Sequence, residues 1–420
     1  MLERKLGRTR GWVSAGMVGS VLACYDSAIY AFVAIYVSRQ FFPHTDDVTA
    51  LLSTFLAYGL GFVVRPLGAV VIGRIGDVYG RKRALFITVV LMAIGTGAIG
   101  ILPTYSTIGY FAPLLLVFAR LLQGFASGGE WGNSTAFIVE WAPIGRRGFY
   151  GSFQQVSVVG GLLLGSGVVA LLATLTTPEA MESWGWRIPF ILGVILGSVG
   201  VSMRRAADDA PAYERLKLEI PTGQPTRPWA LAARAFGFTI VWTVAFFMIF
   251  SYMPTYADRH LKTGAPLALW ANTIGLFALL LAIPLMGKLS DRVGRKLPLL
   301  ASCVAFVVLP YPVFSFLLSS ASPPSLIAAE LVFAIVLSMF AGPAPAAISE
   351  IFPTRARSMW MTTGYTLSVV IFGGFAPSIS IWLIDNFNSP LAHTFYLIAA
   401  AAVSMAVITS LPETAHEDLK

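Results

Sequence analysis

The sequence predicts an all-α integral membrane protein with about twelve membrane-spanning helices, arranged as two pseudo-symmetric six-helix bundles. Of its 420 residues, 56% are hydrophobic and only 12% are charged, whereas a soluble domain carries roughly 25% charged residues. Apolar stretches of about 20 residues, the length that crosses a bilayer, follow one another along the chain. A loop motif also recurs at an offset of about half the chain, which indicates duplicated halves.

The apolar stretches fall into two sets of six around one polar segment. The first six lie near residues 12–36, 49–72, 82–103, 111–138, 148–174 and 186–203. The segment that follows is rich in arginine, acids and proline, and six further stretches lie near 230–255, 266–286, 297–319, 325–348, 360–384 and 391–411. We therefore expect an N-terminal bundle over 1–203, a cytoplasmic linker over 204–229 and a C-terminal bundle over 230–420.

The recurring motif is Gly-x-x-x-Asp-x-x-Gly-Arg-Lys, placed between the second and third helices of each half. Its aspartates can cap a helix end or pair with loop arginines, and either contact would latch this side of the protein when it closes. A second repeat matches Glu140, Pro143 and Arg147 with Glu350, Pro353 and Arg357. The predicted gating residues are Gly73, Asp77, Gly80 and Arg81 in the first copy, and Gly287, Asp291, Gly294 and Arg295 in the second.

These loops resemble the signature loop of the major facilitator superfamily. Shorter stretches narrow the resemblance to the metabolite:proton symporter family, whose members carry citrate, 2-oxoglutarate, shikimate, or proline and betaine. The resemblance covers nearly the whole chain and implies the major facilitator fold. The stretches are Tyr25-Asp26, Arg65-Pro66-Leu67-Gly68, Arg120-Leu121-Leu122-Gln123-Gly124-Phe125, Gly128-Gly129-Glu130-Trp131-Gly132, Trp184-Gly185-Trp186-Arg187-Ile188-Pro189-Phe190 and Pro412-Glu413-Thr414.

The net charge of +8 is concentrated in the loops on one side of the predicted bundle. The positive-inside rule places these loops, the linker and both termini in the cytoplasm, and we expect a multi-pass protein of the bacterial inner membrane. The orientation of the protein in the lipid bilayer thus explains the excess of positive residues, and no nucleic-acid partner is expected. Cys24 and Cys303 both lie in apolar runs and are predicted to be unpaired core residues.

Four ionisable residues lie deep within predicted spans, where charges are costly and indicate function. A helical rise of 1.5 Å per residue places Asp26 at the depth of Arg120, and Arg65 at the depth of Glu130. We predict these two ion pairs, with Asp26 and Glu130 as proton-coupling residues. The alternative is that the pairs only hold helices in register, and we assign Arg65, Glu140 and Glu350 to structural ion pairing. The C-terminal half is expected to hold no ionisable residue at comparable depth, since Glu350 and Asp385 lie at helix ends.

The fourth span carries a polar stripe at helical spacing, formed by Arg120, Gln123, Ser127, Glu130 and Ser134. We expect it to face a central cavity. Glutamine and asparagine within spans also serve helix–helix hydrogen bonds, which is the alternative role for those residues. The four histidines are placed in loops or near span ends, so neither a metal site nor a histidine relay is expected. The predicted substrate-binding residues are Tyr25, Arg120, Gln123, Gln155, Trp242, Tyr252, Asn272 and Tyr365.

These residues predict a proton symporter that imports a small organic anion, most simply a di- or tricarboxylate such as citrate or 2-oxoglutarate. The arginine fork matches a carboxylate bidentately. Once the anion occupies the arginine, the neighbouring carboxylate loses its partner and takes up a proton. The alternative is a symporter of a zwitterionic osmolyte such as proline or betaine, with aromatic rings around the cationic group. We expect a functional monomer without a cofactor, and sodium remains open as the coupling ion.

Other classes of protein fit less well. A drug/proton antiporter usually has Gly-Pro in the fifth helix, whereas Gly160-Gly161 and Gly165 occur here without the proline. A receptor or sensor would need an added signalling domain or long tail, and we expect neither. An enzyme is not predicted, because the spans hold no nucleophile–base set or metal-ligand spacing. The chain also has no phosphate-binding Gly-x-x-x-x-Gly-Lys-Ser/Thr motif, so ATP is not the predicted energy source.

Overall fold

The computed structural model describes residue 17 and residues 20–43, 46–79, 81–128, 130–143, 145–206, 228–320, 322–351, 354–415 and 417. Several sequence predictions fall outside this part of the chain. They concern Gly80, most of the linker 204–229, and the surroundings of Gly73, Asp77, Arg81 and Glu140.

Six helical paths, α1 to α6, form the first half. Path α1 bends by 62° between its two segments, and α2 and α4 are also each built from two consecutive segments. Two short helices, Tyr105–Ile108 and Pro178–Ser183, lie in the loops after α3 and α5. The bounds are Ser20–Phe32 and Ala34–Phe41 for α1, and Asp47–Val63 and Arg65–Tyr79 for α2, Arg81–Ile101 for α3, Phe111–Ser127 and Glu130–Trp141 for α4, Arg147–Leu175 for α5, and Ile188–Ala206 for α6.

Six more paths, α7 to α12, form the second half. Path α7 contains two π-helical segments, Met248–Tyr252 and Ala257–Leu261, and α11 contains one, Val369–Gly373. Path α9 bends by 47° at Pro310, as expected where proline removes a backbone donor. The bounds are Pro228–Phe247, continued through Met253–Tyr256 to Leu261, for α7, Ala265–Val293 for α8, Lys296–Val308 and Pro310–Ser320 for α9, Pro323–Ala341 and Ala344–Ile351 for α10, Thr354–Ser368 and Ala376–Asn386 for α11, and Ala392–Ser410 for α12.

The packing repeats between the halves. Helix α2 packs on α4 and α3 on α6 in the first half, as α8 packs on α10 and α9 on α12 in the second. The halves meet where α5 lies along α8 and where α2 lies against α11. The two bundles are thus pseudo-symmetric, as the sequence predicts.

The outer surface of the bundle is apolar. Within the described residues, seven helices are long and apolar enough to cross a membrane, and two bent pairs raise the number to nine. Three shorter apolar helices, in α3, α4 and α6, complete the set. Large side chains such as Val70, Phe118, Leu285 and Val308 are more than half exposed. A water-soluble protein rarely exposes so much apolar surface, whereas lipid satisfies it.

Glycines allow the helix backbones to approach closely, as is usual between membrane helices. A Cβ atom at Gly124 of α4 would collide with the backbone carbonyl of Gly61 on α2. One at Gly287 of α8 would lie 2.5 Å from the carbonyl oxygen of Gly148 on α5, across the two bundles. The second contact lies at the end of the bundle that carries Asp291 and Arg295, which we call the motif face. The other end is the opposite face.

Candidate functional site: a charged cluster closed on both sides

Three of the predicted membrane charges line one cavity between α1, α2 and α4. Asp26, Arg65 and Arg120 border it together with Gln123. Asp26 is 6% exposed and Arg120 is 3% exposed. The cavity volume is about 10 Å³, which is roughly the space needed for one water molecule. The side chains have therefore closed around the site in this conformation, and a solute can enter only after the helices move.

Two neutral side chains extend from Arg120 toward Asp26 in place of the predicted direct contact. Arg120 Nη1 donates to Gln123 Oε1 at 2.6 Å, and Gln123 Nε2 donates to Thr96 Oγ1 at 2.9 Å. The Thr96 hydroxyl donates to the carbonyl of Met92 at 2.9 Å, and Thr96 lines a second small cavity together with Asp26. A group that binds Arg120 therefore alters a chain of hydrogen bonds that reaches the neighbourhood of Asp26.

Both arginines of the cluster keep an unused hydrogen-bond donor. The Arg120 guanidinium carbon lies 4.5 Å from the centroid of the Tyr30 ring and 5.1 Å from that of Tyr58. The Arg65 guanidinium carbon lies 4.1 Å from the centroid of the Phe62 ring. The Nε atom of each arginine is buried without a hydrogen-bond partner in the described part of the chain. A buried donor normally finds a hydrogen-bond partner. The two unused donors are therefore available to bind an anionic group.

The polar stripe of α4 is interrupted. Gly128 has an extended backbone (ψ of 133°), so Glu130 begins a new helical segment instead of continuing the first. Glu130 and Arg65 both act electrostatically on the Cys24 thiol, which places them near the same residue of α1. The hydroxyls of Ser127 and Ser134 donate to carbonyls of their own helix. Of the predicted stripe, Arg120, Gln123 and Ser127 line the cavity.

An aromatic cluster from both halves lies on the motif-face side of the charges. The rings of Trp131 on α4 and Tyr365 on α11 stack with centroids 3.9 Å apart. Trp242 on α7 lies 5.8 Å from Trp131 and 5.7 Å from Tyr365. We call these three residues the motif-side cluster. Trp242 and Tyr365 were predicted as substrate-binding residues, and Trp131 was missed although it directly follows Glu130.

A second aromatic cluster closes the other side, where α2 meets α7. The ring centroids of Phe55 and Tyr252 are 5.9 Å apart. The ring centroid of Phe247 lies 5.2 Å from that of Phe62 and 6.1 Å from that of Tyr58. We call these five residues the opposite-side cluster, and it contains the predicted residue Tyr252. Because each cluster joins residues of both bundles, the structure is occluded, with the charged cluster between two closed layers.

Three further predicted substrate-binding residues lie at helix contacts. Tyr25 donates through its hydroxyl to the carbonyl of Pro189 at 2.8 Å, so it joins α1 to the start of α6. Asn272 Nδ2 on α8 donates to Ser166 Oγ on α5 at 3.3 Å. The side-chain oxygens of Asn272 and Gln155 are buried without a hydrogen-bond partner among the described residues.

Asp291 joins the two bundles at the motif face. Its carboxylate accepts from the backbone N–H of Gly148 at 2.8 Å and of Phe149 at 2.9 Å, at the start of α5. Arg295 donates to the same carboxylate at 2.8 Å and binds Glu350 through two nitrogens at 3.1 and 3.2 Å. We call this set of contacts the latch. Burial lowers the pKa of Arg295, but the carboxylates of Glu350 and Asp291 outweigh burial and raise it.

The chain after α12 strengthens the latch. The Glu413 carboxylate accepts from the backbone N–H of Arg295 at 2.8 Å and of Lys296 at 3.0 Å. Desolvation opposes ionisation of Glu413, yet these and neighbouring backbone N–H groups lower its pKa. Thr414 donates to Glu350 at 2.7 Å. The sequence marked these residues only as part of a family resemblance.

One prediction about the second half was wrong. Glu330 on α10 is a fully buried carboxyl group (0% exposed), so this half does contain an ionisable residue inside a span. It lies within the predicted span 325–348, so the sequence already contained the signal. His393 lies at the start of α12, near a helix end as predicted, and is 1% exposed, with its ring 4.8 Å from Tyr256 and 4.5 Å from Phe314.

The fold and the site define a membrane transporter, and comparison with known proteins gives its family. The family profile described as "Sugar (and other) transporter" matches residues 12–221, and that of the major facilitator superfamily matches residues 258–420. The chain belongs to the major facilitator superfamily. Its relatives are transporters, and it is a multi-pass membrane transporter rather than an enzyme.

Particular relatives cover almost the whole chain. The proline/betaine transporter of Salmonella typhimurium is 31% identical over 99% of this chain and 85% of its own length. The glycine betaine/proline/ectoine/pipecolic acid transporter OusA of Dickeya dadantii is 33% identical over the same shares. In structure the chain resembles the proton:xylose symporter XylE, with a TM-score of 0.79, 17% identity and 97% of each chain covered. At that identity the structural likeness shows the fold alone.

Proposed function

We propose that this protein is a proton-coupled symporter that imports a small zwitterion such as proline or glycine betaine by alternating access. The observation that carries this proposal is the balanced charge of the central cluster. Asp26, Arg65 and Arg120 line the cavity and Glu130 begins the next segment of α4 near Arg65, so the formal charge of these four residues is 2 − 2 = 0. A di- or tricarboxylate would find no net positive charge there to balance its own negative charge. A zwitterion has no net charge and needs no such balance. The relatives also favour the zwitterion over the carboxylate anion expected from the arginines alone.

The two ends of such a solute match two neighbouring parts of the site. Its carboxylate would bind Arg120, whose Nε donor is unused. Its cationic nitrogen would face the aromatic rings of the motif-side cluster, which lies next to the arginines because the segment of α11 that carries Tyr365 packs against the segment of α2 that carries Arg65. Tryptophan faces are the strongest cation–π partners among the aromatic side chains. Gln155 and Asn272 have buried oxygens able to complete the polar contacts when the bundles move.

Asp26 is the proposed proton carrier. Binding of the substrate carboxylate withdraws Arg120 from Gln123 and weakens the attraction that stabilises an ionised Asp26. Asp26 then takes up a proton, and the substrate and proton cross together. Glu130, near Arg65, is a second carboxylate able to respond in the same way.

The conformational cycle would rock the halves 1–203 and 230–420 about this cluster, with a single chain sufficient for transport. Opening of the motif face would separate Asp291 from α5 and break the motif-side cluster. Opening of the opposite face would break the contacts between α2 and α7. We place the motif face, the linker and both termini in the cytoplasm, because lysine and arginine are concentrated there.

Uptake by sodium-free proteoliposomes tests the proposed substrate. Under an inward proton gradient, labelled glycine betaine or proline should accumulate and should leave when a protonophore is added. Citrate and 2-oxoglutarate should not accumulate. Accumulation of citrate but not of betaine would overturn the zwitterion assignment.

The same vesicles separate substrate binding from proton coupling. Asp26→Asn should strongly reduce accumulation while retaining exchange of betaine across the membrane, because exchange needs no net proton movement. Equal accumulation by Asp26→Asn and wild type would exclude Asp26 as the proton carrier.

A further inference from the structure

Glu330 is a carboxyl group that the central site does not use. It lies about two turns into α10 and is 0% exposed. Both of its carboxyl oxygens are buried without a hydrogen-bond partner among the described residues. Buried polar groups are nearly always paired, so this side chain needs a physical explanation.

The carboxyl group lies where α10 meets α8 and α7. A Cβ atom at Gly275 of α8 would lie 2.8 Å from Glu330 Oε2 and 3.3 Å from a ring carbon of Phe250. The glycine therefore creates the space that the carboxyl occupies. Phe250 belongs to the π-helical segment of α7, and such segments are frequent at functional sites because their hydrogen bonding rearranges readily.

Among the described residues, no charged side chain forms an ion pair or a hydrogen bond with Glu330. On α8 the nearest charge in sequence, Lys288, is thirteen residues from Gly275, or about 20 Å along the helix. The ionisable groups on the helices packed against the first segment of α10, Pro323–Ala341, which carries Glu330, are Arg234, Tyr252, Tyr256, Asp258, Arg259 and His260 on α7, Lys288, Asp291 and Arg292 on α8, and Lys296, Cys303 and Tyr311 on α9.

An ionised carboxylate in these surroundings would be highly unfavourable, since burial of an unpaired charge costs far more than burial of the neutral acid. We propose that Glu330 is a second proton-binding site of the transport cycle, neutral while α7, α8 and α10 pack as they do here and ionised when their separation admits water. The inference rests on the proposed proton-coupled function. It assigns to the second bundle a protonation step separate from that of Asp26.

The test compares Glu330→Gln, which mimics the neutral acid, with wild type and with the exposed control Glu179→Gln. In proteoliposomes, Glu330→Gln should retain betaine exchange but should lose one coupled proton. At a gradient of about one pH unit, its limiting accumulation ratio should fall about tenfold. An unchanged ratio and an unchanged pH dependence of uptake would overturn the proposal. If wild type itself shows no proton-driven uptake, the proposed function fails instead.

Thermal unfolding in detergent provides a readout that does not depend on transport. Ionisation of the buried acid destabilises the closed form, so the wild-type Tm should fall as the pH rises from about 6 to about 9. In Glu330→Gln this fall should be markedly smaller, while Glu179→Gln should follow wild type. Parallel curves for all three proteins would show that Glu330 does not exchange a proton in this range and would contradict the proposal.

Discussion

Replacement of Arg120 by alanine is expected to reduce betaine uptake about 100-fold. The arginine supplies the donors for the substrate carboxylate, and two charge-assisted hydrogen bonds together contribute about 3 kcal/mol. The loss should appear mainly as a raised KM in initial-rate uptake or exchange, since the ground-state contact is removed. Arg120→Lys keeps the positive charge but lacks the planar fork of the guanidinium group, so its uptake should be intermediate between that of Arg120→Ala and that of wild type.

The matched control is Arg39→Ala. Arg39 is half exposed at the opposite face and lies 3.6 Å from Glu182, and exposed pairs contribute little. Its loss should leave uptake within about twofold of wild type. Wild-type KM and rate in a folded, monodisperse Arg120→Ala protein would show that the substrate carboxylate binds elsewhere.

Replacement of Asp291 by alanine is expected to open the motif face. The change removes two hydrogen bonds to the start of α5 and the contact with Arg295. Bonds of this kind contribute about 1.5–3 kcal/mol each, so the population open at this face should rise at least about tenfold. Part of the latch survives, because Arg295 still binds Glu350.

The substitution Ser152→Cys introduces a buried thiol whose labelling reports the opening. Ser152 is 0% exposed and lies beside Gly287, so a thiol there reacts only when α5 and α8 separate. In a background with Cys24 and Cys303 replaced by alanine, Asp291→Ala should accelerate thiol labelling of Ser152→Cys. Arg292→Ala, a change at an exposed position in the same turn of α8, should not. Equal labelling rates in the two variants would show that Asp291 does not hold this face closed.

The sequence predicted the architecture well because its signals are local. Twelve apolar stretches, one polar linker and a repeated loop motif suffice to place two six-helix halves. The break in α4 was missed, because the 3-4-3-4 spacing of polar residues was read as one continuous helix. Gly128 and Gly129 within that stretch were the available signal.

The sequence predicted which charged residues form the site, but not the hydrogen bonds that link them to their neighbours. Arg120 and Asp26 stand out because charge is rare within spans, whereas Thr96 on α3 resembles any other small polar residue of an apolar helix. Its position between Gln123 and Asp26 depends on how α1, α3 and α4 pack. Glu330 lies within the predicted span 325–348 and was missed although the same criterion applies to it, whereas its packing opposite Gly275 of α8 could not be predicted.

Proton entry driven by betaine tests the central claim most directly. Proteoliposomes with a pH-sensitive dye inside are prepared without a proton or sodium gradient, and glycine betaine is added outside. Coupled transport predicts acidification of the lumen as betaine enters, and less acidification for each betaine that enters with Asp26→Asn. Entry of labelled betaine without any change in internal pH would contradict proton coupling and, with it, the role assigned to the charged cluster.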